Sequence, residues 1–167
     1  DGAGAAVLGE VLTCWVAVLD VDSGTFPLIG ADGESLAEFW TENRMQAYEG
    51  VSVPGFPNFF TVFGPYGYNG SSFFTLVENS AAHIVRVLDE ARRSDATTAE
   101  VTSTAQESYM ESILARRPLQ VFSNPSCAGA NSYYFTQQGD VPFRASTTVE
   151  AAWQSRRFPL TDYAFAG

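Results

Sequence analysis

Apolar and polar positions follow two different periods along this chain, and each change of period marks an element. Val11 to Val21 is rich in β-branched and aromatic residues and predicts a buried strand, ended by Asp22-Ser23-Gly24. Ala31-Asp32-Gly33 is another turn. Ser35-Leu36-Ala37-Glu38 has the spacing of a capping box and predicts a short helix through Trp40. Phe59 to Phe63 reads as a second strand. A long helix is expected from about Ser72 to Arg93. On it Phe73, Val77, Ala81, Ile84, Leu88 and Ala91 share one face, while Thr75, Ala82, Glu90 and Arg93 lie mostly opposite. Arg92 and Arg93 suit its negative end. Thr104-Ala105-Gln106-Glu107 predicts a helix to about Arg117, with Tyr109, Ile113 and Leu114 inward and Pro118 as its stop. Pro125 to Asn131 is a small-residue loop. Ser132–Phe135 and Val141–Phe143 form a candidate hairpin across Gln137-Gln138-Gly139-Asp140. Thr147 to Glu150 is a third capping box, before a short helix through Trp153. The segment from Arg156 to Phe165 is expected to be extended and packed by its aromatic residues.

The resulting order is strand, helix, strand, helix, helix, hairpin, helix. It defines a mixed α and β class, α/β by relationship and α+β as a piece by itself. The sheet is too sparse for a complete doubly wound domain, which needs several βαβ units. With 167 residues and 46% hydrophobic content the chain can build one real core. The net charge is -10, and all nine basic residues are arginine. An acidic chain without a basic stripe argues against nucleic acid or anionic lipid as a partner. The apolar run Cys14 to Leu19 is too short to span a bilayer, and no basic-then-apolar leader precedes it. A cytoplasmic location is the expectation.

Chemistry concentrates at one corner. Gly64-Pro65-Tyr66-Gly67-Tyr68-Asn69-Gly70-Ser71-Ser72 joins the second expected strand to the long helix. Glycines let a backbone approach a partner closely, and Ser71 and Ser72 can cap the helix or donate to a ligand. The first-turn N–H groups of a helix carry partial positive charge and favour an anion or a polar cofactor edge. The plain alternative is a strand-to-helix turn with a serine cap. Gly2-Ala3-Gly4 is a glycine fingerprint lacking its third glycine and its preceding strand, and reads as a terminus. His83, the only histidine, is placed at the edge of the long helix's apolar face. With no nucleophile at motif spacing, no catalytic side chain is assigned. Cys14 and Cys127 have no zinc spacing, so no metal site is expected, and Cys127 reads as a packing residue. Glu107 and Glu150 read as capping residues, and Arg156-Arg157 as surface ion-pair partners. Tyr133, Tyr134 and Trp153 could line a pocket or fill a core.

The run VSVPGFPNFFTVFGPYGYNGSSFFTLVENSAAHIVRVL resembles the late part of the flavin-dependent monooxygenases, the Baeyer–Villiger type and their flavin-containing monooxygenase relatives. FPLIGADGESLAEFWTENRMQAYEG before it, and GANSYYFTQQGDVPFRASTTVEAAWQSRRFPLTDYAF after it, are similar to the flanking and C-terminal segments of those enzymes. The resemblance implies a C-terminal part of an FAD-binding domain over residues 26–167, after a divergent N-terminal strand region over 1–25. It implies FAD and NADPH as cofactors of the whole enzyme, and oxygen insertion into ketones or oxidation of heteroatoms as its reaction. It also implies that Gly64, Pro65, Tyr66, Gly67, Asn69, Gly70, Ser71 and Ser72 bind the flavin, with the long helix aimed at its ring. Both dinucleotide fingerprints, the Phe-x-Gly…His…Trp-Pro signature of the Baeyer–Villiger group and the Ala-Thr-Gly motif expected before FPLIG are missing from this sequence. The expectation is therefore a fragment inactive alone. The alternative is a non-enzymatic remnant or interaction module that self-associates through apolar surface exposed around Phe59, Phe60 and Val62.

Overall fold

The computed structural model describes residues 27–124, 135–136 and 139–167. The expected strand Val11–Val21, the Gly2-Ala3-Gly4 terminus, both cysteines, Tyr133, Tyr134 and all but Phe135 of the first strand of the candidate hairpin lie outside them. The described elements mix helix and strand. Helix α1 spans Leu36–Asn43, α2 Phe73–Arg93, α3 Ser103–Ala115 and α4 Thr148–Gln154. Strands β1, Thr98–Val101, and β2, Tyr163–Ala166, pair antiparallel, with Thr98 opposite Ala166 and Val101 opposite Tyr163.

The expected capping box at α1 is present. Ser35 Oγ accepts from the Glu38 backbone N–H at 3.1 Å, and the Ser35 N–H donates back to the Glu38 carboxylate. This fixes the entry of α1, so Leu36 and Trp40 turn inward onto Ala47, Val53, Phe56 and Phe59. The Trp40 indole donates to the Gln46 carbonyl at 2.8 Å, which satisfies its one polar atom inside that cluster. A larger core joins α2, α3 and the two-stranded sheet through residues such as Phe60, Ile84, Val87, Val101, Tyr109 and Phe158. Full burial of each aliphatic or phenyl side chain contributes about 1.5–3 kcal/mol.

Phe59 to Phe63 is not a strand. Asn58 and Phe63 have φ of +57° and +67°, left-handed values that a pleated run does not tolerate, so the segment is irregular. Phe59 and Phe60 are nonetheless fully buried and Val62 is half-buried, so the apolar surface expected around them is absent. Asn58 holds the segment in place. Its backbone N–H donates to Ala99 O, its side-chain carbonyl accepts from Ala99 N–H, and its side-chain amide donates to Thr97 O.

Helix α2 has the expected length but is rotated by about one residue, ~100°. Its buried residues are Leu76, Asn79, Ser80, His83, Ile84 and Val87, whereas Phe73 and Ala81 face solvent. Three polar side chains at the centre of the buried stripe hide it from an apolar pattern. The cap of α3 is Thr102, not Thr104: its hydroxyl accepts from Ala105 N–H at 3.2 Å, and Glu107 is exposed. Tyr109 and Ile113 face inward as expected, with Leu114 partly buried against the same core. At α4 Thr147 caps Glu150 N–H at 3.1 Å, while the Glu150 carboxylate pairs with Arg116. Val141–Phe143, expected as the second hairpin strand, is not a strand: Phe143 forms an isolated parallel bridge with Tyr68, and its carbonyl accepts from the Gln120 side chain at 2.7 Å.

Candidate functional site

The corner between Gly64 and Ser72 divides into a buried half and an open half. Gly64, Pro65 and Tyr66 are buried. A Cβ on Gly64 would meet Thr61 Oγ1 at 2.2 Å and Gly50 O at 2.6 Å. Gly67 lies against Gly50, where φ is +72° and a Cβ would fall 2.3 Å from the Gly67 Cα. These glycines let the 48–51 and 64–67 segments touch backbone to backbone. Tyr66 completes the anchor: its N–H donates to Pro142 O at 2.9 Å, and its carbonyl accepts from the Tyr109 hydroxyl at 2.8 Å.

The open half runs from Asn69 to Phe74. Asn69 Oδ1 accepts from the Ser71 N–H at 3.2 Å and from the Ser71 hydroxyl at 2.8 Å, closing a side-chain turn that starts α2. Among the described residues the Asn69 side-chain amide has no partner. Gly70 is exposed with φ of +84°. Ser72 is the N-cap, yet its hydroxyl caps nothing and the first turn contains no acid. Phe73 and Phe74 stand 56% and 77% exposed beside it. The positive end of a 21-residue helix is therefore uncapped, without a neutralising carboxylate, and flanked by apolar rings. That donor set suits a flat, electron-rich group.

Trp153 lies on α4, 59% exposed among the described residues, with the Arg157 guanidinium over its ring at 5.9 Å. Among the described residues no three His, Cys, Asp or Glu side chains gather as a metal site, and no helix is long and apolar enough to cross a membrane.

A second polar cluster lies beneath α2. His83 is fully buried rather than at an edge. Its ring stacks on Phe158 with centroids 3.8 Å apart, and Nε2 shares a 2.8 Å hydrogen bond with the Tyr163 hydroxyl, which in turn reaches Ser52 Oγ at 2.7 Å. Burial, with Arg86 and Arg144 nearby, pushes the imidazole pKa down to about 3, so the ring is neutral. Arg144 and Glu49, both nearly fully buried, pair at 2.6 Å, and Arg144 also donates to Gln154. Burial raises the Glu49 carboxyl against the pull of Arg144. Desolvation works against the Arg144 charge, but Tyr109 and Glu49 hold it protonated. Burial also raises the Tyr163 phenol. Glu49 sits at φ of +53°, and no local pattern in the sequence marks it.

No protein-family model matches the chain. An uncharacterized monooxygenase of Mycobacterium tuberculosis is 34% identical over 113 residues, 67% of this chain and 22% of the relative. A Baeyer–Villiger monooxygenase of Streptomyces coelicolor is 30% identical over 139 residues, 81% of this chain and 26% of the relative. The crystal structure of OTEMO in complex with FAD and NADP superposes with a TM-score of 0.63 at 24% identity, covering 84% of this chain and 26% of that one. Over 81% of its length the chain is homologous to a part of a Baeyer–Villiger monooxygenase. It spans about a quarter of the length of the curated relatives it matches.

Proposed function

We propose that this chain is the C-terminal part of an FAD- and NADPH-dependent monooxygenase and presents Asn69, Gly70, Ser71 and Ser72 to the flavin. The observation that carries the reading is the uncapped, acid-free start of α2 beside two exposed phenylalanines, in a chain whose relatives include Baeyer–Villiger monooxygenases. Bound FAD would supply the oxygen-activating redox chemistry. This chain's own contribution is narrower. Gly64, Pro65, Gly67 and Tyr66 anchor the corner, the Asn69 side chain fixes the turn, and the helix start offers N–H donors to the electron-rich edge of the ring. The sequence holds neither glycine fingerprint for a pyrophosphate, so the remainder of the dinucleotide site belongs to residues outside it.

Purified chain mixed with FAD and NADPH tests this. It should retain no flavin through gel filtration and leave the absorbance of NADPH unchanged. A yellow protein that consumes NADPH unaided would overturn the fragment reading.

The interaction-module reading has one observation in its favour. Phe73, Phe74, Val149 and Trp153 are all more than half exposed. The first two lie beside the helix start proposed to face the flavin, so the apolar surface at the corner fits either reading.

A further inference from the structure

Among the described residues, three buried polar atoms beneath α2 have neither a hydrogen bond nor an ion pair, Asn79 Nδ2, His83 Nδ1 and Arg144 Nε, and a fourth beside them, Glu49 Oε2, has its ion pair with Arg144 but no hydrogen bond. Each belongs to a side chain whose other polar atoms are engaged. Asn79 Oδ1 accepts from Arg156 at 3.0 Å, which orients its amide nitrogen away from that contact. His83 Nε2 is held by Tyr163. The two terminal nitrogens of Arg144 go to Glu49 and Gln154. All three residues line one small cavity of about 20 Å³, together with Glu49, Ser80 and Ser155. A buried polar group left unpaired costs about 1–3 kcal/mol, so three around one void call for an occupant. About 10–15 Å³ suffices for one water, which needs two to four polar partners.

We infer that this cavity is a binding site for a single water molecule, which accepts from Arg144 Nε–H and Asn79 Nδ2–H and donates to His83 Nδ1. An anion is disfavoured because the Glu49 carboxylate lines the same cavity, and a larger ligand does not fit. The water fixes the imidazole as the Nε2–H tautomer, so His83 donates to Tyr163 and Tyr163 donates to Ser52. It ties the middle of α2 to the Arg144 segment, and through His83 to β2. The site does not depend on the flavin reading.

The chain has one histidine, so the test gives a single imidazole signal. In ¹⁵N-labelled protein, long-range proton–nitrogen spectra should show Nε2 protonated and Nδ1 bare, with a water cross-peak in the rotating frame to the Asn79 side-chain amide. Both should be independent of chloride between 0 and 200 mM. Ala151 lines the cavity, and Ala151→Val should remove the water cross-peak while the backbone amide spectrum stays folded. Should that variant fail to fold, Ser155→Thr, at another wall of the cavity, serves the same purpose. An Nδ1–H tautomer, no water cross-peak in the parent protein, shifts that track chloride, or a cross-peak surviving in the folded variant would each overturn the site.

Discussion

The His83 ring lies flat on Phe158, 12° from parallel, with every edge inside the protein. Its neutral state is thereby part of the fold. The folded pKa of about 3 is below the ordinary 6.5. Above pH 6.5 neither folded nor unfolded chain binds this proton, and the full stability is present. As pH falls below 6.5 the unfolded chain binds it and the folded chain does not, so stability falls by up to about 1.4 kcal/mol per pH unit until the folded pKa is reached. Urea denaturation between pH 7 and 4 should show this slope, and it should flatten in a folded His83→Gln variant. An imidazole signal that titrates near pH 6 in the native protein contradicts it.

Gly50 and Gly67 touch backbone to backbone, and Gly50 has a positive φ. Gly50→Ala should cost about 3 kcal/mol or more, because strain and overlap add. Gly33 has a positive φ of +85° but open space around it, so Gly33→Ala should cost only about 1 kcal/mol. Thermal denaturation of the two variants separates a close approach from a turn preference.

Asn58 serves β1 from outside the sheet, with its backbone N–H and both side-chain groups on Thr97 and Ala99. Asn58→Ala removes two part-buried or buried side-chain bonds and leaves a left-handed residue without asparagine's tolerance for it. A loss of about 2–4 kcal/mol is expected in chemical denaturation. Asn58→Asp should also destabilise, since a carboxylate cannot donate to Thr97 O.

Arg144 and Glu49 form a buried pair. Arg144→Met leaves the carboxyl unpaired and should cost about 3–5 kcal/mol, and Arg144→Met combined with Glu49→Gln should cost less than Arg144→Met alone. A double-variant loss equal to the sum of the Arg144→Met and Glu49→Gln losses would show that the two side chains act independently.

Much of this architecture is legible in the sequence where the signal is local. Ser35 with Glu38, Thr147 with Glu150, and the run from Phe73 to Arg93 each carry their own caps or length. The rest depends on distant partners. Thr98–Val101 is a strand only because Tyr163–Ala166 returns to pair with it, and its composition alone does not mark it. Phe59–Phe63 has strand composition, but left-handed residues at Asn58 and Phe63 break the pleat. The face of α2 is misread because His83, Asn79 and Ser80 occupy core positions that their polarity denies. At the corner, the uncapped helix start follows from Asn69 and Ser72. The burial of Gly64 to Tyr66 follows from contacts with Gly50, Tyr109 and Pro142, which no spacing reveals.

The open half of the corner also predicts a charge effect. Ser72→Asp improves the helix cap, worth up to about 1 kcal/mol, while placing a negative charge where an electron-rich ring would lie. The variant should melt no lower than the parent yet bind flavin more weakly.

The most direct measurement is a backbone amide titration of the chain with FMN at millimolar concentration. Shifts should concentrate at Asn69 to Thr75 and shrink in Ser72→Asp. Shifts spread elsewhere, or none at saturating ligand, would contradict a flavin-facing helix start.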